Sequence, residues 1–287
     1  MGPQRAGYPG MKPKVTPFIR KRRTQRMPVV FFGHGSPTIA LETNATTETW
    51  AGIANNIPRP KTILCVSAHW CTRGSAVTAM PRPATLHDYG GYPEAMFEMR
   101  YPAPGDPRLA ARVRELLSPA TDVRLDENWG LDHGAWSVLM KAYPDADIPV
   151  VQLSLDVAKT PAQHYQIGQL LRPLRDEGVL IVGTGNVVHN LKLLDWNSAA
   201  PPYEWATRFN EFIRQSIARN EQDKLINYTA AGQDAQLAVP SPDHYWPLLY
   251  AMGARGDDDQ VTFGLNHIEY RSLSMMTVVL NNQADAA

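Results

Sequence analysis

Cysteine is scarce in this chain, with only Cys65 and Cys71 among 287 residues. Their six-residue spacing matches neither a zinc-binding pair nor a redox Cys-x-x-Cys motif. Cys65 lies in an apolar run and reads as a small buried residue. No apolar stretch reaches the 18 residues that a membrane span needs, and no signal-peptide core is visible. The expectation is therefore a cytoplasmic protein with no membrane partner. Several catalytic signatures are also missing. Gly183-Thr184-Gly185 lacks the third glycine of a dinucleotide fingerprint, and there is neither a phosphate loop nor a His-Glu-x-x-His helix. Ser36, in Gly33-His34-Gly35-Ser36, lacks the flanking pattern of a nucleophile elbow, which leaves a Ser36 triad as a minor alternative.

What is present is the composition of an ordinary globular domain, 44% hydrophobic and 20% charged. A chain of this length buries enough surface to fold without staples. The 24 prolines point to stiff loops rather than long helices. The net charge of zero conceals an asymmetry, because residues 1–26 carry eight Lys or Arg and no acid. The remainder holds 20 basic against 28 acidic side chains, and an acidic body argues against a nucleic-acid partner. The Pro/Gly-rich basic leader, 1–26, reads as a solvated arm. Contact with an anionic partner, an organelle transit peptide and an alternative start at Met27 are its other readings. Residues 27–287 form the expected domain.

Short apolar runs, each closed by glycine or polar residues, recur along that domain. They are Met27–Phe32, Thr62–Ala68, Ile148–Leu155, Val179–Val182 and Met275–Leu280. Rich in Val, Ile and Leu without polar alternation, they resemble strands buried on both faces. Between them lie helical patterns at Pro107–Leu117, from Thr160-Pro161 to about Asp176, at Trp205–Ala218, and from Ser241-Pro242-Asp243 to about Gly253. The predicted fold is a single α/β domain with a central, mostly parallel or mixed sheet flanked by helices.

Three of the eight histidines, His34, His69 and His189, fall at or just beyond the carboxyl ends of predicted strands. Ligands of open α/β sheets bind along that edge, so side chains distant in sequence can meet there. His34 sits between Gly33 and Gly35, which permit a tight turn and close backbone approach. His244 is expected in the first turn of a helix, and His133 lies in Leu131-Asp132-His133-Gly134. Neutral imidazole is the commonest side-chain metal ligand, and a mononuclear site needs three or four donors. The spacing alone carries no metal signature. His87 could line a pocket, although a loop residue is the plainer reading, and His164 and His267 read as surface or structural residues.

Five motifs occur in order: Gly33-His34-Gly35-Ser36-Pro37, Ser67-Ala68-His69-Trp70, Leu131-Asp132-His133-Gly134, Gly185-Asn186-Val187-Val188-His189-Asn190 and Pro242-Asp243-His244-Tyr245. In this the chain resembles the class III extradiol ring-cleaving dioxygenases of the DOPA 4,5-dioxygenase type, from Met27 to about Leu280 but not over the leader. The resemblance implies a mononuclear non-haem metal, Fe(II) for turnover, ligated by His34, His69 and His244. His189 would stand beside it as a fourth ligand or as the catalytic base, and His133 would be a nearby acid/base. The wider superfamily typically uses two histidines and a carboxylate, whereas His244 stands where the carboxylate is expected. An all-imidazole set also suits Zn(II), which has no redox chemistry of its own.

The implied substrates are a small aromatic catechol and O2, with the ring opened beside rather than between its two hydroxyls. From DOPA this would give a seco-DOPA that can cyclise to betalamic acid. Arg73 could grip a substrate carboxylate, although a surface role is the plainer reading. Two competing readings remain: a zinc-dependent hydrolase using the same histidines to activate water, and a non-catalytic protein whose basic arm binds an anionic partner. A monomer or small homo-oligomer is expected.

Overall fold

Val29–Gly33 (β1) is buried at every position, and its alternation explains the architecture. Val29 and Phe31 enter one hydrophobic core, while Val30 and Phe32 enter a second on the opposite face. A strand covered on both sides needs helices above and below it. The computed structural model describes residues 26–197 and 200–282. Apart from Arg26, the basic leader lies outside the described residues.

After β1 come α1 (Ala45–Asn56), β2 (Thr62–Thr72), β3 (Ser75–Thr78), α2 (Glu94–Glu98), α3 (Pro107–Leu117), β4 (Val123–Asp126) and α4 (His133–Ala142). They are followed by β5 (Val150–Asp156), α5 (Pro161–Leu171), β6 (Val179–Gly185), α6 (Glu204–Ala218), α7 (Gln222–Ile226), α8 (Gln233–Ala238) and α9 (Trp246–Gly253). The chain closes with β7 (Gln260–Leu265), β8 (Ile268–Glu269), β9 (Leu273–Ser274) and β10 (Thr277–Asn281). Eight strands form one mixed sheet in the order β4-β3-β5-β2-β6-β1-β10-β7, with β8 and β9 pairing separately. The central strands β5, β2, β6 and β1 are mutually parallel, so their carboxyl ends share one edge. Towards both sides the pairing becomes antiparallel, at β1–β10 and β10–β7 on one side and β3–β5 on the other. The expected single α/β domain with a mixed sheet flanked by helices is what the chain forms.

One core packs α3, α5, α6 and α9 against the sheet, and the other packs α1 and α4, anchored by Trp50 and Trp136. Local signals start the helices where capping chemistry demands. Asn44 and Thr47 form a reciprocal capping box on α1, and Thr160 and Gln163 another on α5. Each N-cap of this kind contributes about 1 kcal/mol. Arg175 is fully buried and donates to both oxygens of Asp259 and to the carbonyls of Met27 and Ala254. It thus ties the entry to β1 to the exit from α9.

Several boundaries differ from the sequence expectation. The helix opening at Thr160 ends at Leu171 and continues as a 3-10 turn through Glu177, because Pro173 removes a backbone donor. The final helix starts at Trp246, and His244 precedes it in a turn. The closing apolar run is an antiparallel strand, β10. Among the described residues no helix is long and apolar enough to cross a membrane.

Candidate metal centre

His34 follows directly on β1, where its backbone N–H donates to Gly185 of the neighbouring β6. His69 lies inside β2 rather than beyond its end. Pairing with β5 jumps from Val66–Leu153 to Cys71–Leu155, so five residues of β2 span what two of β5 span. This irregularity breaks the alternation and re-aims His69 towards the sheet edge, a common use of bulges near functional sites. Trp70, buried within this irregular stretch, stacks on Trp129 at 5.4 Å and 4°.

His133 opens α4, and the cap of that helix is tied to the bulge. Asp132 accepts from the Ala135 amide, from Ser67 Oγ at 2.7 Å and from Gln152 Nε2. Burial, followed by the charge of Asp88, pushes the Asp132 carboxyl up to about 6. The next residue must be glycine. A Cβ on Gly134 would stand 2.5 Å from Ser67 Oγ and 2.7 Å from His69 Cδ2.

His244 is delivered by the turn before α9. Its carbonyl accepts from the Asn186 amide, and a Cβ on Gly185 would meet that carbonyl oxygen at 2.2 Å. The glycines ending β6 therefore serve backbone approach, not nucleotide binding. Asn186 also donates its side-chain amide to the carbonyls of His34 and Ser274, at 2.7 and 2.8 Å. One buried residue thus clasps the His34 and His244 segments.

These elements bring His34, His69 and His244 together, with one nitrogen from each inside a mutual separation of 4.8 Å. His34 Nε2 and His69 Nε2 face each other at 3.0 Å. Burial, reinforced by the surrounding imidazoles, lowers the pKa of both well below the usual histidine value, so both rings are neutral at neutral pH. His34 Nδ1 is buried without a partner. An orphaned buried polar atom costs about 1–3 kcal/mol, and such atoms cluster where function demands them. Three imidazole nitrogens this close together suit a cation, and the donor set fits a transition metal.

His244 Nδ1 is engaged by Asp243 Oδ2 at 2.5 Å, which leaves Nε2 for the centre. Burial alone would raise the Asp243 carboxyl, but the hydrogen bond and charge of His244 outweigh it and hold the group below the usual carboxylate range. His189 is not one of the three converging residues. Its ring stacks on His244 at 3.5 Å and 5°, along the same cavity, and burial, with the nearby His244, depresses its pKa to about 3. His133 lines the cavity too, its ring 3.8 Å from that of His69. The cavity encloses about 290 Å³, and Tyr89, Tyr92, Trp196 and Tyr270 contribute aromatic walls.

The remaining candidates lie elsewhere. His87 hydrogen-bonds the Met99 carbonyl outside the cavity lining, and Arg73 is exposed and does not line it. His164 is buried against Tyr250, and His267 pairs with Glu269. The Ser36 hydroxyl bonds Tyr92 and Thr38 rather than an imidazole. Asp88, Asn186 and Asp243 were assigned no role from sequence. Only Asp243, adjacent to His244, carried a local signal.

The chain matches a family described as the catalytic LigB subunit of aromatic ring-opening dioxygenase over residues 31–281. It is 47% identical to the 4,5-DOPA dioxygenase extradiol of Escherichia coli (strain K12), covering 92% of this chain and 99% of that protein. Against the Beta vulgaris protein of the same name identity is 36%, over 80% of this chain and 87% of the relative. A crystal structure of an uncharacterized Escherichia coli K12 protein superposes with a TM-score of 0.78 at 46% identity, covering 89% of this chain and all of that one.

Proposed function

The chain belongs to the family of catalytic LigB subunits of aromatic ring-opening dioxygenases, and from that premise we propose that it cleaves a DOPA-like catechol with O2 at a mononuclear non-haem metal held by His34, His69 and His244. The observation that carries this reading is the convergence of the three histidine nitrogens within 4.8 Å at the edge of an aromatic-walled cavity. Relatives named 4,5-DOPA dioxygenase extradiol support the substrate class. On this reading Fe(II), when bound, supplies the Lewis acidity and redox chemistry that no side chain offers for the reaction of an aromatic ring with O2.

The protein's own contributions are binding, orientation and proton handling. Three imidazole ligands bring no negative charge to the centre, so a catechol that has lost a proton is favoured there over a neutral phenol. Tyr89, Tyr92, Trp196 and Tyr270 present ring faces and edges to an aromatic guest. His189 is unprotonated near neutral pH and, although burial weakens it as a base, it is on this reading the imidazole at the cavity wall that takes a catechol proton. Its parallel stack on His244 favours this base role over that of a fourth ligand. His133, across the cavity, is positioned to return a proton as the ring opens. Ring opening beside the two hydroxyls would turn DOPA into a seco-DOPA that closes to betalamic acid.

The all-histidine donor set also suits Zn(II), and a zinc hydrolase is the second reading. One experiment separates the two. Iron-reconstituted protein should consume O2 and generate a new yellow chromophore from catechols. Absence of O2 uptake across a catechol panel, together with zinc-dependent ester or amide hydrolysis under anaerobic conditions, would replace the dioxygenase reading with the hydrolase one.

A further inference from the structure

Asp88 lies on the loop between β3 and α2, 45 residues before His133, and no sequence motif links the two. Its two oxygens nevertheless divide their work on that one residue. Oδ1 accepts the His133 backbone N–H at 2.8 Å, and Oδ2 meets His133 Nδ1 at 2.9 Å. The Asp88 carboxylate is 18% exposed and the His133 side chain 10% exposed, so water competes weakly for either contact. The first bond alone would be ordinary helix-end chemistry, since the first amides of α4 have no partner within the helix. The second bond has no such explanation.

We propose that Asp88 is a positioning residue that fixes His133 in its Nδ1–H tautomer, leaving Nε2 as the basic nitrogen available for proton transfer. This rests on the acid/base role assigned to His133 above. A carboxylate offers only acceptors, so Nδ1 must carry the hydrogen in the neutral ring. The same arrangement orients imidazoles in hydrolytic triads, where the wrong tautomer removes most of the rate. Asp88 Oδ2 also lies 3.7 Å from His69 Nδ1, too far for a hydrogen bond. Its direct grip is on His133.

Asp88→Asn turns the inference into a forced choice. The His133 backbone N–H can only donate, so the amide oxygen must face it. The amide NH2 then faces Nδ1, which must become an acceptor, and the ring hydrogen moves to Nε2. The geometry is nearly isosteric, but the available lone pair is on the wrong nitrogen.

The test has two readouts on the full-length, metal-loaded protein. In the zinc-loaded form, 15N shifts of the His133 ring should report Nδ1–H in the wild type and Nε2–H in Asp88→Asn. In the iron-loaded form, kcat for O2 uptake with a catechol should fall by about 10²-fold or more, with KM within about threefold and metal content unchanged. In a His133→Ala background, Asp88→Asn should lower kcat no further. Should Asp88→Asn misfold, Asp88→Ala frees the tautomer instead of inverting it and should give a mixed ring population with a smaller loss of kcat. A wild-type kcat in Asp88→Asn, an unchanged His133 tautomer, or loss of metal from the variant would each overturn the proposal. An unaltered kcat in His133→Ala would instead refute the role of His133, while the ring shifts would still decide whether Asp88 sets its tautomer.

Discussion

Asp243 and His244 are neighbours in sequence whose side chains turn back on each other, with Oδ2 meeting Nδ1 at 2.5 Å. The carboxylate fixes the ring so that Nδ1 carries the hydrogen and Nε2 points to where His34 and His69 converge. Partners of this kind, hydrogen-bonded to the second nitrogen of a ligating imidazole, are typically worth 10- to 100-fold in affinity. Asp243→Ala should therefore weaken metal binding by about that factor. Competition with a chromophoric chelator measures it, and an unchanged affinity would show that Asp243 does not tune the site.

Gly134 is required by crowding rather than by backbone conformation. Gly134→Ala places a methyl where Ser67 Oγ and His69 Cδ2 already sit. Overpacking of this sort costs about 1–3 kcal/mol. Here the displaced neighbour is a proposed ligand, so metal content and turnover should fall alongside stability. Urea unfolding and metal analysis of the same preparation test this, and a variant with normal metal content would show that the bulge yields without moving His69.

His164, remote from the centre, should make folding stability pH-dependent. It is buried against Tyr250, its Nε2 has no partner, and burial depresses its pKa to about 4. The unfolded chain, with a histidine pKa near 6.5, binds more protons between these values. Neutral His164 thus contributes stability above about pH 6.5, and this is lost progressively as pH falls towards 4. The full effect is about 3 kcal/mol, as 1.36 kcal/mol accompanies each pKa unit. Urea unfolding at pH 7 and 5 should show a smaller difference in His164→Gln than in the wild type. Equal slopes would mean that the buried ring is protonated without penalty.

His189→Ala should retain metal and fold while lowering kcat by about 10²- to 10⁴-fold, the range of a lost general base. Metal release from this variant would move His189 into the donor set, the other role that the sequence allowed it.

The central strands were legible because burial on both faces leaves an unbroken apolar run, as in Val29–Gly33 and Val179–Gly185. The strands towards the two sides of the sheet were not. β7 alternates exposed and half-buried residues, and β3 and β4 span only four residues each, too short for periodicity to register. The placement of His34 beyond β1 followed from the glycines around it. The bulge that presents His69 did not, because an irregularity of pairing depends on the partner strand. His244 was expected within a helix because Ser241-Pro242-Asp243 resembles a cap, but Asp243 is committed to His244 instead. The hold of Asp88 on His133 spans 45 residues of chain, and only the tertiary fold reveals it.

The central claim is that His34, His69 and His244 share one ion. Anomalous diffraction at the iron edge from crystals of iron-loaded protein tests it most directly. The account predicts a single peak bonded to one nitrogen of each of these three rings at about 2.0–2.2 Å, the range of metal–imidazole bonds. A peak bonded elsewhere, or by fewer than all three, would contradict it.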